Sequence, residues 1–590
     1  MSRAKSSNPP ATSAARAFAK SHALDWLIVA AIWFLQAQML RSAGFRRGYD
    51  LMPWPDGLEY AASSINLAKG RGAVLHFGGY TYPSRYTGGY PLILAFFYRV
   101  FGEHLPLFFV SFFLAMLSVF VIFMLTRRLL SRTAGAIAGV ILALSPVFIT
   151  YSSLVMSDVP TLFVTLCAAR MLVLAMSDYA NQSPGWRMAA WLMFGLLAGF
   201  STIIRPTNAS ILAGLALCVV MVPLEKRDLR TLLGSAIAIA IGFAIPAAWQ
   251  LHQNAINLGS PFASGYTWWV PEVYGAGGRT FSAAYLFGPT MPRNPHGNVI
   301  VYATTILGLD GMLGDPGNPR YFLYPFAAAA FAIVGFVAIL RAREGSTARR
   351  LMWFGLGYLA ALTGLYCFYV FTDIAFILPA AFVLFIAAGA GAASANRWMR
   401  DVLRSRSRSA GQLAAAAGVI VLDLLLVVSI ASEAAVRLSA RRAFSAMVDA
   451  LQSLDTALPR DATVVSNISL QFLELYVQTG ERHFVGLNSL DPGERFTDYH
   501  LHRLYEKRTA GWKGPVPPVV FEGSQMSAEA DSLASAIGAK TPVYLLLAAP
   551  ESQQYAEVLK TELDQLQQKF TIKPEFQSES VALYRLTAQK

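Results

Sequence analysis

Runs of apolar side chains about as long as a bilayer is thick, separated by short basic turns and by three longer polar segments, set the pattern of this chain. The runs fall near residues 24–40, 105–126, 133–150, 159–176, 188–204, 207–223, 231–250, 321–340, 351–370, 374–393 and 411–431. A helix needs about 20 residues to cross the ~30 Å hydrocarbon core, so this spacing predicts an α-helical polytopic membrane domain over residues 1–431 with about eleven transmembrane helices. The three polar segments are residues 41–104, 252–320 and 432–590. In the last, short apolar runs at 462–465, 483–486, 542–547 and 580–586 alternate with helical patterns at 469–478 and 528–537. That alternation predicts a C-terminal α/β domain outside the membrane. A Gly/Pro-rich loop at 513–518 lies within it, and a Ser/Arg linker at 405–409 precedes the last span.

Composition supports lipid as the main solvent. Of 590 residues, 55% are hydrophobic and only 14% charged, with a mean hydropathy of +0.44. The formal charge of +13 resides largely in the turns. Lys5, Arg16 and Lys20 precede the first run, Arg127, Arg128 and Arg132 follow the second, and Lys226, Arg227 and Arg230 follow the sixth. Arg341, Arg343, Arg349 and Arg350 continue the alternation, as do Arg397, Arg400, Arg404, Arg406 and Arg408. The positive-inside rule then places these turns and the N-terminus in the cytoplasm of a multi-pass plasma (inner) membrane, and all three polar segments on the extracytoplasmic, periplasmic side. The charge needs no nucleic-acid partner to account for it. The first run has a basic start, but Asp25 and the lack of a small-residue cleavage site mark it as a retained helix. Cys167, Cys218 and Cys367 all fall inside predicted spans and read as packing residues.

The first outer segment carries the densest chemistry. It reads Pro55-Asp56-Gly57-Leu58-Glu59-Tyr60, then Tyr82-Pro83-Ser84-Arg85-Tyr86-Thr87-Gly88-Gly89-Tyr90-Pro91. Apolar spacing over 58–68 fits an amphipathic helix lying along the interface and closed by Gly70, with Asp56 at its start. A first-turn acid serves a helix dipole as well as it serves chemistry. Asp158, at the outer junction of the third and fourth runs, equally suits a cap, yet a carboxylate at membrane depth is costly and needs a partner. Arg205, in Arg205-Pro206-Thr207 at the outer end of the fifth run, is that partner by position. It is either a snorkelling anchor or a two-pronged phosphate ligand. In the second outer segment, Trp268 and Trp269 suit either stacking on a sugar face or anchoring at the interface. His252 and His296 lack metal-ligand spacing.

The order of these motifs resembles the GT-C superfamily of polyprenyl-phosphate-sugar-dependent glycosyltransferases, in the branch of protein O-mannosyltransferases and the lipid A aminoarabinose transferase. The matching features are an acid and Tyr in the first outer loop, a Gly/Pro-rich motif entering the second span, an acid after the third span and Arg-Pro-Thr after the fifth. The resemblance implies a sugar moved from a polyprenyl-phosphate carrier to a hydroxyl of a glycan, lipid or protein acceptor, with inversion by direct displacement. Asp56 is then the general base with Asp158 as second catalytic acid, and Arg205 and Arg85 hold the donor phosphate. Glu59, Tyr60, Tyr86, Trp268, Trp269 and Arg320 fall to substrate contact. A divalent cation, Mg or Mn, held by Asp56 and Asp158 is an open expectation. Two departures stand out: Asp56 is followed by Gly57 rather than a second acid, and the tenth run opens Asp373-Ile374-Ala375-Phe376-Ile377-Leu378-Pro379, without the Arg-Tyr common in relatives. The competing readings are a transporter or flippase, whose mark is ionisable residues in mid-span such as Asp423, and a non-enzymatic envelope scaffold. No residue pattern reports the identity of the sugar.

Overall fold

The computed structural model describes residues 11–42, 56–77, 80–102, 107–177, 183–221, 229–275, 278–290, 295–309, 322–341, 346–405, 409–439, 450–451, 453–454, 456–468, 473, 482–487, 520–521, 530–548, 553–578 and 581–589. Each predicted apolar run is largely helical. The N-terminal helix α1 (Ala11–Ser42) is followed by α2 (Asp56–Ala68) and a hairpin of β1 (Val74–Phe77) and β2 (Tyr80–Pro83). Then come α3 (Gly89–Phe101), α4 (Phe108–Leu129), α5 (Arg132–Ala143), α6 (Pro146–Ser152), α7 (Asp158–Met176), α8 (Pro184–Ile204), α9 (Ile211–Val220) and α10 (Leu229–Leu258). The second outer segment holds α11 (Gly265–Trp269), α12 (Pro271–Tyr274) and α13 (Asn298–Ile306). Four helices, Phe326–Leu340, Thr347–Cys367, Phe382–Arg404 and Ala410–Ser439, complete the membrane part.

Five described helices are long and apolar enough to cross a membrane, or six when α5 and α6, bent by 64° at their junction, count as one. Length and composition alone therefore mark five or six of the about eleven expected spans among the described residues. The first expected span lies within the 32-residue α1, and two others are shorter apolar helices, Pro206–Val220 and Phe326–Leu340. The reason is local: Ser145 caps α6 ahead of Pro146, Pro206 stops α8, and Pro325 precedes Phe326. Two expectations for the first polar segment are corrected. The helix α2 does not lie on an interface, because Leu58, Tyr60, Ala61 and Asn66 around its circumference are all buried. The Gly88-Gly89-Tyr90-Pro91 motif opens α3, a separate helix ahead of the second span. Gly70 does close α2, at φ +82°.

Asp25, buried at 4% exposure, clarifies the odd acid in the first run: it bridges Arg127 and Arg132, both at 2.7 Å, and ties α1 to the α4–α5 hairpin at the basic end. Asp423, the mid-span acid, accepts from Asn396 Nδ2 at 3.2 Å, a clasp between two neighbouring helices.

The C-terminal region is α/β. Its five-stranded sheet runs β4-β3-β6-β8-β7, with β3 (Thr463–Ser466) parallel to β4 (His483–Gly486) and β6 (Val543–Ala548), while β8 (Val581–Ala588) is antiparallel to β6 and to β7 (Phe570–Gln577). Side chains alternate between faces, as period two requires. Val465, Leu545 and Leu586 pack with Leu533, Leu559 and Leu566 of the helices Ala530–Gly538 and Gln553–Lys569. Val464, Leu546 and Leu583 join the apolar cluster that continues through Leu451 and Leu454 into the membrane helices. The expected helix at 469–478, apart from Leu473, and the loop at 513–518 lie outside the described residues. The helix Ala410–Ser439 continues past the expected domain boundary at 431. A short strand β5 (Val520–Phe521) pairs antiparallel with Tyr80–Thr81, so the C-terminal region adds an edge to the first-loop hairpin.

Candidate functional site

Asp56 and Glu59 open α2, three residues apart on one face, where the N-terminal dipole favours negative charge. Both turn toward Arg85, which leaves the end of β2. Arg85 Nη2 lies 3.0 Å from Asp56 Oδ1 and 3.5 Å from Glu59 Oε1, and its backbone N–H donates to Glu59 Oε2 at 3.3 Å. The Tyr86 hydroxyl donates to Asp56 Oδ1 and receives a hydrogen bond from Arg85. The three charged side chains differ in access: Arg85 is 9% exposed, Glu59 1% and Asp56 33%. Only Asp56 presents a carboxylate to an incoming group.

The hairpin reaches α2 because the second outer segment presses on it. A Cβ on Gly265 would stand 2.1 Å from the Ser84 carbonyl and 2.7 Å from that of Arg85, so only glycine admits α11 this close. Gly265→Ala is therefore expected to lower the thermal midpoint, by overpacking worth about 1–3 kcal/mol, and to cut activity through displacement of Arg85; an unchanged melting curve would contradict the contact.

Tyr60 joins this group to the second acid. Its ring stacks on Tyr86 with centroids 4.5 Å apart, and its hydroxyl donates to Ser157 Oγ at 3.3 Å, next to Asp158. Asp158 is fully buried at the start of α7 and accepts from Arg205 Nη1. Its Oδ2 has no hydrogen-bond partner among the described residues. Arg205 caps α8 in extended backbone before Pro206, as a residue preceding proline prefers. Its guanidinium lies 4.8 Å from the centroid of Phe376, and its side chain is 16% exposed. The first loop is pinned beside it: Thr87 Oγ1 donates to the Ile204 carbonyl at 3.1 Å, and a Cβ on Gly89 would meet the Ile203 backbone at 2.6 Å. Asp56, Glu59, Arg85, Asp158 and Arg205, all read from the sequence, thus form two acid–arginine groups linked by Tyr60 through its contacts with Tyr86 and Ser157.

Burial governs the titration of the outer pair. Loss of hydration pushes the Glu59 carboxyl up from 4.5 to about 7, opposed by Arg85 and its N–H. Burial likewise raises the Tyr60 and Tyr86 phenols, which stay protonated donors at neutral pH. Between pH 4.5 and 7 the folded protein holds the Glu59 proton more tightly than the unfolded chain, so this contribution to stability is full below that window and is lost as pH rises through it. Comparing thermal midpoints of wild type and Glu59→Gln from pH 5 to 8 should show the variant gaining on wild type as pH rises; a difference independent of pH would refute the assignment.

Trp268 and Trp269 pack inward against the first-loop hairpin. Both are 2% exposed, and Trp269 Nε1 donates to the Pro83 carbonyl at 2.7 Å, bracing the hairpin. Arg320 lies outside the described residues. His252 and His296 are exposed and far from metal spacing. Asp56 and Asp158 each already face a guanidinium, and no group of three His, Cys, Asp or Glu able to hold a metal occurs among the described residues. Among the described residues this donor set does not make a divalent-cation cage.

Sequence reading did not find the aromatic wall around Arg205. Asp373 accepts from the Tyr151 hydroxyl at 2.6 Å and from the Ala375 N–H at 2.8 Å, which fixes the turn that delivers Phe376 to the arginine. Tyr366 stacks on Phe376 at 4.7 Å and bonds Thr207 at 2.7 Å. Tyr274 and Tyr369 meet through their hydroxyls at 3.0 Å, and Tyr266 sets its edge against Tyr86. The signal was the run Tyr366-Cys367-Phe368-Tyr369 before Asp373, which looks like ordinary apolar span.

Comparison with known proteins follows the same lines. The family described as dolichyl-phosphate-mannose-protein mannosyltransferase matches residues 89–251. No curated protein sequence matches the chain. Among solved structures, ArnT from Cupriavidus metallidurans bound to undecaprenyl phosphate is similar over 96% of this chain and 98% of its own, at 14% identity and a TM-score of 0.57. The arabinofuranosyltransferase AftD from Mycobacteria, as its R1389S mutant, is similar over 96% of this chain and 42% of its own, at 14% identity and a TM-score of 0.50. The Archaeoglobus fulgidus oligosaccharyltransferase tethered to an acceptor peptide is similar over 96% and 74%, at 12% identity and a TM-score of 0.50.

Proposed function

Because the chain has the GT-C fold of the polyprenyl-phosphate-sugar glycosyltransferases, we propose that it moves a sugar from a polyprenyl-phosphate carrier to an acceptor hydroxyl on the extracytoplasmic face. The observation that supports this reading best is the pair of acid–arginine couples meeting at Tyr60, one with an accessible carboxylate and one with a partly accessible guanidinium. A sugar hydroxyl is a poor nucleophile. Asp56 takes its proton as the oxygen attacks the anomeric carbon, and the bond from that carbon to the phosphate oxygen breaks. The configuration inverts, and the carrier leaves as polyprenyl phosphate. Its growing negative charge needs a cation rather than a proton, and Arg205, braced by Asp158 and Phe376, supplies one.

Arg85 changes role in this scheme. Matched by two carboxylates and nearly covered, it holds Asp56 in place with Tyr86 instead of meeting the phosphate. The second outer segment covers the site, and the acceptor enters beneath it; a protein, a glycolipid or a polysaccharide hydroxyl fits this chemistry equally. The transporter reading loses ground because Asp423 is already engaged by a neighbouring helix.

The test is to incubate the purified protein in detergent with a panel of radiolabelled polyprenyl-phosphate sugars and extracted envelope acceptors. Release of label from one donor is expected. Absence of release from every donor by folded protein would sink the proposal.

A further inference from the structure

A crevice of about 710 Å³ opens between α8, α9 and α10 at the end of the bundle opposite Asp158. Trp191, Leu215, Ile239 and Phe243 line it, and nothing acidic is among its described lining residues. Its α10 wall belongs to a span of which only 22% is buried by protein, so the opening faces lipid. Two arginines, Arg187 and Arg350, are among its lining residues. Arg350 donates through Nη1 to the Met176 carbonyl at 3.3 Å, capping the C-terminus of α7, while its buried Nε has no hydrogen-bond partner among the described residues. Arg187 is exposed, and none of its groups forms an ion pair among the described residues.

We infer that this crevice is a binding site for one anionic glycerophospholipid of the leaflet at the basic end, its acyl chain along the Trp191 and Phe243 wall and its phosphate on Arg350 and Arg187. Charge selects the occupant. A buried guanidinium edge and an exposed arginine lining one crevice, with no acid among its described lining residues, favour a phosphate held by charge-assisted hydrogen bonds over a zwitterionic headgroup. Position excludes the polyprenyl-phosphate donor. From Asp158 to Met176 α7 rises on the order of 27 Å at 1.5 Å per residue, so a phosphate bound here stands a membrane's thickness from the proposed reaction. The lipid instead fills the gap beside α8, the helix whose far end carries Arg205, and steadies it.

Native mass spectrometry of delipidated protein with added phosphatidylglycerol, phosphatidylethanolamine or undecaprenyl phosphate tests the site. One phosphatidylglycerol should survive collision energies that strip phosphatidylethanolamine, and the retained fraction should fall at least fivefold in the Arg350→Gln, Arg187→Gln double variant. Should that variant fail to fold, Ala240→Trp fills the crevice from α10 and should abolish retention in the same way. A photoreactive diazirine in the acyl chain of phosphatidylglycerol should label peptides of α8 and α10. Equal retention of the two phospholipids, unchanged retention in the variants, or preferential retention of undecaprenyl phosphate at these arginines would each overturn the inference. The readout is binding alone, so it stands whether or not transfer is observed.

Discussion

Asp56→Asn is expected to lower transfer by about 10²–10⁴-fold, the usual worth of a positioned general base, while donor binding stays within a few-fold of wild type. Asparagine keeps the shape and still accepts from Tyr86, but it cannot take the acceptor proton. It also leaves Arg85 balanced by Glu59 alone, 3.5 Å away. That residual pairing should preserve the fold, so a thermal midpoint near wild type is part of the expectation. Single-turnover transfer and donor binding, measured on the same preparation, separate the two effects. Full turnover by Asp56→Asn would move the base elsewhere, and the remaining acids show where: Glu59 and Asp158 are buried behind arginines and would need the site to open first.

The membrane architecture was largely legible in the sequence because hydropathy needs no tertiary information. Where helices depart from the apolar runs, prolines lie at the break. Pro146, Pro206 and Pro325 break or begin helices inside or beside runs that read as continuous, and the bent α5–α6 pair is invisible to an apolar count. The same limit hid α3, whose Gly-Tyr-Pro start looked like the entry to the next span. In the C-terminal region, strands with a buried face were found, whereas β7, reading Phe-Thr-Ile-Lys-Pro-Glu-Phe-Gln with a register shift near Pro574, was not. An exposed edge strand carries too little apolar alternation to declare itself.

The site was legible as a set of residues and not as a set of pairings. Spacing along α2 put Asp56 and Glu59 on one face, but the return of the chain through β2 to place Arg85 between them depends on Gly265 and on Trp269 bracing Pro83. The two tryptophans read equally as sugar platform or interfacial anchor because sequence cannot tell an exposed ring from a buried one. Phe376 and Tyr366 were passed over for the mirror-image reason: aromatic residues in an apolar run read as span even where they surround a guanidinium.

Arg205→Gln is expected to cost both folding and transfer, and the double variant Asp158→Asn, Arg205→Gln should recover only folding. Removing the arginine leaves Asp158 fully buried, with Oδ2 already without a hydrogen-bond partner among the described residues. An uncompensated buried charge of this kind destabilises by about 3–5 kcal/mol. Neutralising both members removes that penalty, so the thermal midpoint of the double variant should return most of the way. Transfer should not return. If Arg205 meets the leaving phosphate, its loss should hold the rate down by about 10²–10³-fold however well the protein folds, as for the loss of one donor to a developing anion. Arg205→Lys adds a second axis: it keeps the charge for Asp158 but loses the planar fork, and should fold better than it transfers. A double variant that regains both stability and rate would mean that Arg205 serves Asp158 alone, and the cation for the leaving phosphate would then have to be sought outside this pair.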